Sequence, residues 1–108
     1  MFKFYRGTTF PEAIALGEGC QHHNDIFWCD SFEVAVYLSQ GAVAEIILDE
    51  LPPHFNDYQS LVKIKGYPEQ RPYRIWGISS DYYEKDKGLY NHIEDFKIHY
   101  EGSDYEKS

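Results

Sequence analysis

Lysine and arginine are missing from the sequence between Gly7 and Val62. That gap excludes a large class of functions. Affinity for nucleic acid rests on clustered cations that neutralise phosphates, so direct nucleic-acid binding is not expected. Long apolar runs are missing too, where a membrane helix needs about 20 consecutive apolar residues. No membrane partner is expected. The first residues, Met1 to Arg6, lack the apolar core of an export signal, which points to a cytoplasmic protein. Cysteine is scarce: Cys20 and Cys29 make no disulfide framework. With His22 and His23 they match no metal-ligand spacing, so no metal is expected, and Cys29 reads as a small core residue. The glycine-rich phosphate loops and the nucleophile elbow are also absent.

What is present is one acidic domain. The chain has 108 residues, 43% of them hydrophobic and 18% aromatic, enough for a single real core. Its formal charge is −8. Alternation marks Phe2–Arg6 as a strand, and Pro11 opens a short helix to Leu16, closed by Gly17 and Gly19. Ile26–Cys29 is a second strand. Asp30 or Ser31 caps the next helix, with Glu33 placed for a capping box, and Gly41 ends it. Ala42–Leu48 is the strongest strand, broken by Pro52 and Pro53. A polar loop is expected next, then strands at Leu61–Lys65 and Tyr73–Ile78 around an irregular Gly66–Pro72. Gly88–His92 and Phe96–Tyr100 are expected as the last two strands. The order predicts an α+β fold, mostly antiparallel, with two short early helices in one domain over residues 1–100. Residues 101–108 form an acidic tail expected to fray. Phe4, Ile14, Phe27, Val36, Ile46 and Ile75 are the expected core.

Phe4-Tyr5-Arg6-Gly7-Thr8, a short helix, Phe27-Trp28-Cys29-Asp30-Ser31 and Glu33–Tyr37 together resemble the ADP-ribosyltransferase-like fold. The resemblance covers about the first half of the chain and implies transfer of ADP-ribose from NAD to a protein or nucleic acid. By position it makes Tyr5, Arg6, Gly7 and Thr8 cofactor-binding, with Arg6 on the nucleotide's ribose or phosphates. An arginine suits that contact, since its planar fork binds phosphate bidentately. Ser31 falls where an element braces the nicotinamide ribose, although its ordinary reading is a helix cap. Enzymes of this fold carry a glutamate on a late strand, where it stabilises charge that develops in the transition state. Here the matching segment is Gly88–Asn91, with Gly88 or Lys87 at that position and Glu84 in the preceding loop. Arg6, Ser31 and Glu84 are therefore the catalytic candidates.

The charge distribution supports a different function. Asp25, Asp30, Glu45, Asp49, Glu50 and Asp57 are expected to contribute to a negative surface for a basic protein, such as a nucleic-acid-binding one. In size and charge the chain is similar to small acidic phage proteins that inhibit host nucleases, the anti-CRISPR and anti-restriction proteins. Under this reading the protein is non-catalytic, and Arg6 pairs with a local acid.

Overall fold

A computed structural model describes residues 1–19, 25–62, 71–83 and 88–100. Six strands form one antiparallel sheet: β1 (Phe2–Thr8), β2 (Ile26–Cys29), β3 (Ala42–Leu48), β4 (Asn56–Val62), β5 (Arg71–Ile78) and β6 (Ile93–Tyr100). Their order is β4-β5-β2-β1-β3-β6, which places β1 and β2 at the centre and leaves β4 and β6 as edges. The helices α1 (Phe10–Gly17) and α2 (Phe32–Leu38) follow β1 and β2.

Side chains alternate across a strand, and the sheet therefore builds two cores. Phe4, Ala44, Ile46, Leu48, Ile26 and Trp28 face α1, where Ala13 and Leu16 complete the larger core with Tyr83 and Leu89. Cys29 and Val43 face the other way, against Val34 and Ala35 of α2, with Tyr5, Phe32 and Val36 at the margin. Each helix starts at a capping hydroxyl. Thr9 Oγ1 accepts from the Glu12 amide at 3.3 Å, and Ser31 Oγ accepts from the Val34 amide at 3.3 Å. With Ser31 as the cap, Val34 occupies the position a capping box gives to glutamate, and Glu33 lies one residue too early.

Several expectations need correction. Gly88–His92 is a 3-10 turn and not a strand, because Leu89 plugs the core while the backbone turns. The polar segment after Pro53 becomes β4 from Asn56 onward, paired along β5. The strand expected at Leu61–Lys65 starts five residues earlier in the structure, and its last three residues lie outside the described set. Arg71 and Pro72, expected in irregular chain, belong to β5, where Pro72 pairs with Leu61. Phe4 and Ile46 are buried, whereas Ile14 is 38% and Phe27 is 41% exposed. Ile14 points off the buried Ala13–Leu16 side of α1, and Phe27 alternates with the buried Ile26 and Trp28. Val36 and Ile75 are half-buried. The tail at 101–108 lies outside the described residues.

Candidate functional site

The candidate nucleotide residues sit on β1, and alternation divides them. Arg6 and Thr8 point with Phe4 toward α1, while Tyr5 and Gly7 point toward α2. The four do not converge on one ligand. On the α1 face, Arg6 Nε donates to Glu12 Oε1 at 2.9 Å and Nη1 donates to the Phe27 carbonyl at 3.0 Å. Thr8 Oγ1 donates to the same Glu12 oxygen. The Arg6 and Glu12 side chains are only 20% and 26% exposed. Glu12 thus ties the first turn of α1 to β1, and Arg6 ties β1 to the backbone of β2. The guanidinium fork is engaged on both of its edges. Local sequence carries no sign of this, because strand and helix must fold together before residues six apart meet.

On the α2 face Gly7 has a packing role. A Cβ there would stand 2.1 Å from the Ala35 carbonyl oxygen and 2.8 Å from the Ser39 nitrogen. The helix backbone occupies the space where a side chain at this position would stand. Tyr5 packs edge-on against Phe32, with ring centroids 5.5 Å apart. Burial, with the Glu45 carboxylate nearby, raises its phenol pKa above the usual value. Ser31 caps α2 and stands on this face, away from the Arg6 side chain. Glu84 lies outside the described residues.

A polar group that the sequence did not flag surrounds Glu45. Glu45 lies 2.8 Å from His99 Nε2 and 3.8 Å from Lys3 Nζ, with the Glu45 and His99 side chains 12% and 11% exposed. Phe32 meets the His99 ring edge-on at 4.9 Å. Glu45 is therefore an internal ion-pair partner and leaves the set of surface acids. Cys29, across Tyr5 from Glu45, is a poor nucleophile: its thiol lies 3.4 Å from the Tyr5 and Ser31 carbonyl oxygens, and burial pushes its pKa up to about 11.

The remaining acids do not form one face. Antiparallel pairing sends Asp30, Asp49, Glu50, Glu94 and Asp95 to one end of the sheet, beside the end of β2 and the β3–β6 corner. It sends Asp25 and Asp57 to the opposite end, with Asp81 in the 3-10 turn that follows β5. Asp57 is paired with Arg74. At the first end Asp49 Oδ1 and Glu50 Oε1 lie 3.1 and 3.5 Å from His92 Nδ1. These three donors lie within 4.8 Å of one another and are the group, among the described residues, best placed to hold a cation. Both carboxylates already serve the imidazole, and both are exposed.

No family model, curated protein or solved structure matches the chain. Function is therefore read from side-chain chemistry alone. No helix among the described residues is long and apolar enough to cross a membrane.

Proposed function

We propose that the protein is a non-catalytic binding domain that covers a basic surface on another protein, of the kind that binds nucleic acid. The observation that carries this reading is the closure of Arg6 on Glu12 and on the Phe27 carbonyl. The cation that an NAD-dependent transferase would aim at phosphates is neutralised within the fold. Among residues whose side chains are described, the exposed cations are Lys3, Arg74 and Lys97, and the exposed carboxylates far outnumber them. Lys3 lies near Glu45 and Arg74 pairs with Asp57, so both sheet ends stay negative. Such a surface repels nucleic acid and NAD and speeds encounter with a cationic protein. Competition with nucleic acid for that protein's basic groove is the expected consequence, as for an anti-restriction or anti-CRISPR inhibitor.

The test is association with a panel of cationic DNA-binding domains, measured by biolayer interferometry with competing DNA. Wild type is expected to associate with a rate that falls as salt rises, since screening shortens to about 8 Å at physiological strength. The variant carrying Asp30→Asn, Asp49→Asn and Glu50→Gln together is expected to associate more slowly. Binding unaffected by salt and by these changes overturns the reading. So does a thermal shift with NAD that Arg6→Ala removes, or release of nicotinamide from NAD, because either result restores the transferase.

A further inference from the structure

We infer that the cleft at the Asp25–Asp57 end of the sheet is a receptor for an arginine side chain of the basic partner. This inference rests on the proposed function and names the residue type that this end of the protein would read. The cleft is created by an absent side chain. Phe27, Gly77 and Asn56 are direct cross-strand neighbours on β2, β5 and β4, so they share one face of the sheet. Gly77 contributes no side chain between them, and Phe27 is left 41% exposed beside a trough. The resulting space of about 220 Å³ is also lined by His54, Ser79 and Asp25, with Tyr82 at its side.

Tyr82 is held in place. Its amide donates to the Ser79 carbonyl at 3.0 Å, and its ring stacks on His54 with centroids 3.7 Å apart and planes 19° from parallel. The lining therefore combines a stacked ring pair with the exposed Phe27. Among the described residues, Asp25 supplies the only carboxylate of the lining, and no lysine or arginine lines it.

The chemistry of that lining selects the ligand. Aromatic faces attract a cation through their quadrupole, and a guanidinium is planar and weakly hydrated, so it leaves water for such a surface more readily than an ammonium. Its N–H groups match the Asp25 carboxylate, and the Asn56 and Ser79 side-chain oxygens offer further acceptors. A nucleotide is a poorer occupant, since among the described residues the lining offers its phosphate a carboxylate and no lysine or arginine.

The test is an amide NMR titration of the full chain with the peptide acetyl-Gly-Arg-Gly-amide, and with the same peptide carrying citrulline, which keeps the shape and removes the charge. Saturable shifts are expected at Asp25–Phe27, Asn56 and Gly77–Ser79, and at Tyr82. Citrulline is expected to bind about tenfold more weakly, the factor that corresponds to 1.4 kcal/mol. Asp25→Asn and Tyr82→Ala change exposed side chains and should each weaken the arginine peptide several-fold while the spectrum stays that of a folded protein. Equal binding of citrulline overturns the inference, as do shifts spread evenly over Asp30, Asp49, Glu50 and Glu94. Saturation of the cleft by adenosine monophosphate in place of the arginine peptide also overturns it. If the cationic domains bind but Asp25→Asn and Tyr82→Ala leave that binding unchanged, this inference fails and the proposed function stands. If the arginine peptide saturates the cleft and no cationic domain binds, the cleft stands and the proposed function fails.

Discussion

Replacing Gly7 with alanine separates packing from cofactor binding at a single atom. The added Cβ would lie 2.1 Å from the Ala35 carbonyl oxygen, 2.8 Å from the Ser39 nitrogen and 2.9 Å from the Leu38 carbonyl carbon. Ordinary contact begins at 3.4 Å, so α2 must retreat from β1 by roughly 1 Å, a gap that forfeits up to about half of each lost contact. The obstacles are backbone atoms of a helix and cannot rotate aside. Retreat also loosens Val34 and Ala35 from Cys29 and Val43, the centre of the second core. Overpacking costs about 1–3 kcal/mol, and the backbone obstruction places Gly7→Ala at the upper end. At about 4 °C per kcal/mol for a domain of this size, the Tm should fall by roughly 10 °C. Urea unfolding should show a lower midpoint at an unchanged slope. Gly41→Ala is the contrast: Gly41 has φ +113° and open space where a Cβ would stand, so its loss of about 1–3 kcal/mol would come from backbone strain with α2 still seated on β1. A Gly7→Ala protein within about 0.5 kcal/mol of wild type refutes the packing argument. Wild-type stability together with lost NAD binding would instead give Gly7 to a cofactor.

Three further outcomes follow from individual contacts. Tyr83 is fully buried and its hydroxyl donates to the Leu16 carbonyl at 2.7 Å, with burial driving the phenol pKa far above its usual value. Tyr83→Phe strands that carbonyl and should cost about 1–3 kcal/mol by thermal unfolding. Arg6→Ala removes two hydrogen bonds from a partly buried carboxylate and a backbone carbonyl, and should cost about 1.5–3 kcal/mol, with Arg6→Lys recovering only part because an ammonium lacks the fork. An Arg6→Ala protein as stable as wild type contradicts the internal pairing. The Cys29 thiol, buried and raised to about 11 from 9.0, should resist alkylation at pH 8 in the folded protein and react on unfolding. Its folded pKa exceeds the unfolded one, so the unfolded chain releases its proton first. The contribution to stability is complete below pH 9 and is lost as the pH rises toward 11. Cys29→Ala should flatten that alkaline loss, and an unchanged slope refutes the assignment.

The local pattern of the chain was enough to determine the elements whose signals are local. Ala42–Leu48 is apolar except for Glu45 and becomes an interior strand between β1 and β6, with Glu45 and Ile47 its only half-buried residues. Pro11 and the Ser31 hydroxyl mark helix starts, because proline fits a first turn whose amides are unpaired and the serine oxygen meets an amide within its own turn. The α+β order with two early helices followed from those signals. Tertiary structure alone decided what depends on partners distant in sequence. Asn56–Ser60 is polar enough to read as a loop and is a strand because β5 offers it a ladder. Gly88–His92 reads as a strand and turns instead, since Leu89 fills a core that α1 and β3 build. Phe27 has every local reason to be buried, yet its cross-strand neighbour is Gly77, 50 residues later, and a glycine covers nothing. The candidate sites share that origin. Charge count shows that acids are plentiful, but antiparallel register sends them to two ends of the sheet, and alternation parts Arg6 from Tyr5. Pairing between strands is set by the energy of the whole assembled sheet, so which side chains meet is decided only when the last strand docks.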